Sequence, residues 1–389
     1  MHMGVIKTFL FVAILLVTGL FLYGVVKNFS EVPPLPQTGD SITATSSEDK
    51  PPHEKGVFEE PITIVARGLE IPWDVAFLPD ESLLVTERPG RLSRIFSDGT
   101  KKSILVSGVK TGGEGGLLGL MLHPAFEKNQ LLYLYLSAPS SGGRTQNRVE
   151  RHRLSGDVLL DKKTIIEGIP GALYHDGGRM EFGPDGMFYI TTGDATDGQL
   201  AQDISSLAGK ILRLTSEGEV PKDNPFGNAV YSYGHRNPQG ITWDEKGNLW
   251  STEHGRSGLL SGFDELNMIE KGKNYGWPII EGDAKKESML TPVLHSGADV
   301  TWAPASAAFY KGSVFFGGLK GETLYEAVLS DTGKVSVLKK YFIGEYGRLR
   351  TARVGPDGML YVTTSNRDDR GDAREGDDKI IRINPAFLK

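Results

Sequence analysis

One phrase recurs six times between residues 74 and 364, and it constrains the fold more than any other feature of the chain. It consists of a short apolar run, a tight turn such as Pro-Asp-Gly, and an alternating strand that ends in Thr and acidic residues. Four copies are plain: DVAFLPDESLLVTE (Asp74 to Glu87), RMEFGPDGMFYITTGD (Arg179 to Asp194), GITWDEKGNLWSTE (Gly240 to Glu253) and ARVGPDGMLYVTT (Ala352 to Thr364). Two looser copies, LMLHPAFEKNQLLYLYL (Leu120 to Leu136) and AAFYKGSVFFGGL (Ala307 to Leu319), fall between them. Gly, Pro and Asp supply the turn geometry, and the alternation is that of a strand with one buried face. Successive turns are roughly 45 to 65 residues apart, the length of a four-stranded blade with some long loops. The repeats predict an all-β, six-bladed β-propeller, a ring that removes most exposed sheet edges. A large β-sandwich fits less well because the repeats are so regular, and a parallel β-helix because they are too long.

The composition agrees: 49 glycines and 21 prolines in 389 residues mark frequent tight turns, in a chain long enough to bury a large core without staples. Cysteine is absent, which removes disulfides, thiolate nucleophiles and zinc–thiolate sites. The net charge of −6 and the scattering of basic residues exclude the electrostatic footprint of a nucleic-acid binder.

The uncharged run from Thr8 to Val26, following Lys7, is long enough to cross a bilayer as a helix. Residues 1–26 are therefore expected to form a signal-anchor or signal peptide. Residues 27–57, rich in Pro, Ser, Thr and charge, read as a flexible linker. Residues 58–389 form the expected propeller domain, placed outside the cytoplasm and either tethered by the N-terminal helix or secreted after cleavage.

In a propeller, loops remote in sequence converge near the axis, so chemistry is sought where polar residues interrupt the repeats. Four stretches do so: Gly112 to Gly119, Tyr174 to Arg179, Gly234 to Gly240 and Gly347 to Arg353. His175 is a candidate base, since a neutral imidazole accepts a proton at ordinary pH. Arg236 and Asn237 precede a proline on a shaped loop, where the arginine can fork onto a carboxylate or a developing anion. His235 beside them reads as structural. Arg348 and Arg350 would share one face of a strand and, with Lys320, suit a ligand bearing several carboxylates. Asp264, Glu265 and Tyr275, near Gly255, offer oxygen ligands of the kind calcium prefers.

Seven landmarks occur in order: IPWDVAFLPD, GGEGGLLGLMLHPAF, HDGGRMEFGPDG, GHRNPQG, DELNMIEKGKNYGWP, WAPAS and GRLRTARVGPDG. Together they resemble the soluble, PQQ-dependent glucose and aldose sugar dehydrogenase family over Leu69 to Asn384. The resemblance implies a six-bladed propeller that binds pyrroloquinoline quinone (PQQ) and Ca2+ and oxidises the anomeric carbon of aldose sugars to the lactone. It implies His175 as the base taking the C1 hydroxyl proton while hydride passes to the quinone, with Arg236 stabilising charge on the quinone oxygen. Glu114, Asn237, Lys320, Arg348 and Arg350 match cofactor contacts. The carbonyls of Gly255 and Arg256 match ligands of the cofactor's calcium, and Glu265 and Tyr275 match a separate structural calcium site. An external electron acceptor, a quinone or redox protein, would complete the cycle.

Three positions depart from the family pattern. Glu114 stands where glutamine is typical, Tyr174 replaces an acidic residue before the base, and Arg256 replaces a proline. A carboxylate beside an anionic quinone is unfavourable unless protonated or paired. Two other readings compete with the dehydrogenase: a calcium-dependent propeller hydrolase such as a lactonase, and a non-catalytic binding module.

Overall fold

The computed structural model describes residues 60–257 and 261–389; the N-terminal helix and linker expected over 1–57 lie outside them. The described residues form six four-stranded antiparallel sheets arranged as the blades of a propeller. Among them, no helix is long and apolar enough to cross a membrane.

Each repeat phrase is the inner hairpin of one blade. The inner strands are Pro72–Phe77, Leu117–Leu122, Met180–Phe182, Pro238–Trp243, Ala308–Tyr310 and Leu349–Val354, in blades 1 to 6. Each pairs with the strand that follows it in the chain: Leu83–Glu87, Leu131–Pro139, Phe188–Thr192, Leu249–Glu253, Ser313–Gly318 and Leu360–Thr364. The aspartates of the turns act directly: Asp185 Oδ1 accepts the Met187 amide, and Asp244 Oδ1 accepts those of Lys246 and Asn248. Such side-chain caps close the turn and fix the hairpin register.

Threonines one residue short of the end of three second strands join one blade to the next. Thr86 Oγ1 donates to the Leu118 carbonyl of blade 2, Thr252 Oγ1 to Ser306 on the way into blade 5, and Thr363 Oγ1 to Pro72 of blade 1. Apolar residues fill the space between sheets; Trp73, Leu118, Tyr133, Tyr135, Phe188 and Ile190 share one such cluster. Burying a side chain of this size stabilises by roughly 1.5–3 kcal/mol.

The ring closes on blade 6. Its outermost strand is Ile62–Ala66, from the N-terminal end of the propeller, paired with Ile380–Ile383 from its C-terminal end. On the axis Asp74 is fully buried between Arg179, at 2.6 Å, and Arg353, at 3.1 Å. Arg179 also donates to the carbonyls of Gln239 and Ala305, so five blades meet at this cluster. Burial works against the Asp74 carboxylate, but the two guanidinium groups outweigh it and hold its pKa below the ordinary value.

Candidate active site

In a hairpin, the residue before the first strand lies beside the residue after the second. Six hairpins in a ring therefore bring twelve loop ends to one face, and this is where the polar stretches of the sequence gather. His175 precedes the inner strand of blade 3 and Asp194 follows its partner; His175 Nδ1 and Asp194 Oδ1 are 2.7 Å apart. Asp194 Oδ2 accepts the Trp277 indole N–H at 2.8 Å. The imidazole is thus oriented by a carboxylate that is itself held, and its other nitrogen is left to the cavity that His175 lines.

The main chain is tightly shaped around this pair. His175 lies in the left-handed region at φ 64°, its amide donating to Glu114 Oε2 and its carbonyl accepting from Ala195. A Cβ on Gly193 would stand 1.9 Å from the His175 carbonyl oxygen, so only glycine fits beside the base.

The cavity measures about 370 Å³ and is walled by Glu114, His175, Arg236, His254, Gly255, Arg256, Ser257, Asp264, Lys320, Arg348 and Arg370 among others. A smaller inner chamber continues toward the axis, lined by Trp73, Arg88, Asp176, Gln239, Arg350 and Asp368 and sharing Glu114, His254, Arg348 and Arg370 with the outer one. Seven cationic residues (Arg88, Arg236, Arg256, Lys320, Arg348, Arg350, Arg370) face four acidic ones (Glu114, Asp176, Asp264, Asp368) across the two spaces. Arg256 is paired with Glu281, so with every acid ionised an excess of two positive charges remains.

Arg348, just before the strand Leu349–Val354, and Arg350, within it, converge on Asp368 Oδ2 at 2.9 and 3.4 Å. Burial pushes Arg350 down to about 9, against the pull of Asp368. The Arg236 amide donates to Glu253, but its guanidinium contacts no carboxylate within ion-pair distance among the described residues. Its guanidinium instead reaches Ser257 Oγ and the His254 carbonyl and lies 5.3 Å over the Trp277 ring. Lys320 is exposed at the cavity wall. Asn237 Oδ1 accepts the Gly177 amide, while its buried Nδ2 has no protein partner. His235 is buried, with its two nitrogens on Glu253 and Ser232.

Glu114 is paired. Its Oε1 accepts from Arg370 Nη1 at 2.8 Å, and Arg370 also lies 5.2 Å over the ring of Tyr174. Burial raises the Glu114 carboxyl, but His254, the His175 amide and Arg370 bring it down to about 2. The unfavourable carboxylate expected from the sequence is thus compensated by a residue the sequence reading overlooked.

Four further residues belong to the site and were not singled out. Asp194 is the acidic tail of a repeat phrase, and Trp277 lies in the landmark GWP. His254 follows a second strand in the same way as Asp194; burial pushes it down to about 3, and its buried Nε2 has no protein partner. Asp368 sits in the charged run SNRDDRGD.

The expected calcium ligands fall in two places. Gly255 and Arg256 border the main cavity, where the Arg256 carbonyl accepts the Gly262 amide and its side chain pairs with Glu281. Glu265 and Tyr275 border a separate small space together with Glu253. There Glu253 and Glu265 face each other across paired strands, and burial first, then Glu253, pushes Glu265 up to about 8. A cation would relieve this repulsion. The Tyr275 hydroxyl is taken by the Met268 carbonyl and the Glu270 amide, leaving its own carbonyl as the available oxygen.

On one face of the propeller, then, an aspartate-oriented imidazole meets a cavity whose walls carry more cationic than acidic side chains. The chain belongs to the glucose/sorbosone dehydrogenase family, an oxidoreductase family whose profile matches residues 69–374. It is 33% identical to aldose sugar dehydrogenase YliI of Escherichia coli over 83% of this chain and 92% of that one. Quinoprotein glucose dehydrogenase B of Acinetobacter calcoaceticus is 33% identical over 56% of this chain and 52% of its own length. The PQQ-bound aldose sugar dehydrogenase of Streptomyces coelicolor superposes with a TM-score of 0.76 at 41% identity, covering 83% of this chain and 97% of that one.

Proposed function

We propose that this chain is a PQQ-dependent aldose dehydrogenase that oxidises the C1 hydroxyl of a sugar to the lactone. The observation that carries the reading is His175: Asp194 fixes one ring nitrogen, and the other faces a cavity walled by Arg236 and Lys320, neither paired with a carboxylate among the described residues. The cavity suits an anionic cofactor in charge, since cationic side chains outnumber acidic ones around it. His254, whose buried Nε2 has no protein partner, borders the same cavity, and Asn237, with its unpartnered Nδ2, lies in the adjacent loop.

When bound, PQQ supplies a quinone carbon able to accept a hydride. His175 Nε2 takes the C1 hydroxyl proton, and Asp194 stabilises the imidazolium that results. Lys320, Arg348 and Arg350 would hold the carboxylates, Asn237 would contribute a contact, and Arg236 would balance negative charge developing on the cofactor. Calcium at the Gly255 and Arg256 carbonyls would neutralise the cofactor further, and a second ion at Glu265 and Tyr275 would be structural. An external quinone or redox protein would reoxidise the enzyme, the domain lying outside the cytoplasm and either tethered through residues 1–26 or released after their cleavage.

A lactonase-type hydrolase would need free acidic ligands at the axis. Here Asp74 is saturated by Arg179 and Arg353, which favours the dehydrogenase. The test is to load the purified full-length protein with PQQ and calcium and follow dye reduction with a panel of aldoses. Stoichiometric lactone formation with dye reduction is expected. Absence of turnover together with lactone hydrolysis would overturn the reading.

A further inference from the structure

One ion pair spans the mouth of the inner chamber and joins loops from opposite ends of the chain. Glu114 lies on the loop entering blade 2, and Arg370 on the loop leaving the second strand of blade 6. Both residues line both spaces of the site. Glu114 uses one oxygen for Arg370 and the other for the His175 amide. The Arg370 amide is in turn held by Asp368 Oδ1 at 3.2 Å, while Asp368 Oδ2 clamps Arg348 and Arg350. A single short loop thus fastens the arginines expected to grip the cofactor and also reaches the loop that carries the base.

The charges explain why the pair must be a pair. A carboxylate at position 114 faces the space where the cofactor's own carboxylates would lie, and like charges at such range are unfavourable. With Arg370 in place the wall is neutral at that point, and Glu114 remains free to anchor the strained main chain of His175. We infer that Arg370 is a positioning residue that neutralises Glu114 and, through it, holds the His175 loop, so that residues 114 and 370 act on cofactor binding as one unit. The inference rests on the PQQ reading above.

Its signature is conditional. Arg370→Gln alone leaves an uncompensated carboxylate facing the cofactor, whereas Glu114→Gln alone removes that carboxylate, and the double variant restores a neutral wall. The test measures PQQ affinity of the full-length apoprotein, with calcium present, by quenching of tryptophan fluorescence. Arg370→Gln is expected to weaken binding on the order of tenfold, as for loss of one partner of a hydrogen-bonded charge pair, with discount for its partial exposure. Glu114→Gln, which leaves Arg370 uncompensated, should bind more tightly than the parent, Glu114→Gln/Arg370→Gln should return to within about threefold of the parent, and Arg370→Lys should recover most of the loss. A double variant as weak as Arg370→Gln would overturn the inference by showing that Arg370 grips the cofactor itself, and an unchanged Arg370→Gln would overturn it equally. Failure of the parent protein to bind PQQ would instead sink the functional reading.

Discussion

Asp194 Oδ1 stands 2.7 Å from Nδ1 of His175, with its second oxygen on the Trp277 indole, so the orientation of the imidazole is set on both sides of the carboxylate. Asp194→Asn keeps the shape but no longer enforces the tautomer that leaves Nε2 free to accept a proton. Its kcat is expected to fall by roughly 10²-fold or more with PQQ affinity little changed, and His175→Ala by about 10²–10⁴-fold. Turnover kinetics paired with a cofactor titration check both; a loss confined to affinity would remove the pair from the proton transfer.

Asp176 carries a pH signature. Burial raises its carboxyl to about 6, against the hydrogen bond from Asn147, and its Oδ2 is buried without a protein partner. A folded pKa above the unfolded 3.8 means stability is fully present below 3.8 and lost as pH rises through 6. Asp176→Asn removes this loss. In the apoprotein the variant should be more stable than the parent at pH 8, by up to about 2–3 kcal/mol, and the gain should fade by pH 4. Urea denaturation across that range measures it.

Asp74 is expected to be the most costly single position on the axis. Asp74→Asn leaves Arg179 and Arg353 buried with their central counter-charge gone, a loss of roughly 3–5 kcal/mol. Calorimetry should show a large fall in melting temperature, and an unchanged value would mean that water reaches the axis freely.

Calcium removal should act at two places. If Glu265 helps hold a structural ion, chelation will lower the melting temperature of the parent and leave Glu265→Gln, already without its ligand, nearly unmoved. Equal sensitivity in both proteins would place the structural ion elsewhere.

The hairpins were legible because each carries its own turn chemistry: Asp185 and Asp244 cap turns using residues two to four places away, so the information is local. His175, Arg348 and Arg350 were legible because they interrupt that regularity. Arg370 was not, since its meaning lies in Glu114, 256 residues away, and a run such as SNRDDRGD is indistinguishable from a solvated loop until the ring brings the two together. Asp194 and His254 were visible as residues but not as partners, because only the hairpin geometry shows that a strand's exit stands beside its neighbour's entrance.

Blade 6 takes its outermost strand from one end of the ring and its other three from the opposite end. During synthesis Ile62–Ala66 emerges first, yet the strand it must pair with, Ile380–Ile383, emerges last. Blades 1 to 5 can assemble on the ribosome, but the ring locks only at the final step, and until then the nascent chain carries an unpaired edge strand open to other chains. Any force transmitted from ahead of Ile62 would likewise fall first on that seam, peeling the closing strand before it reached the site.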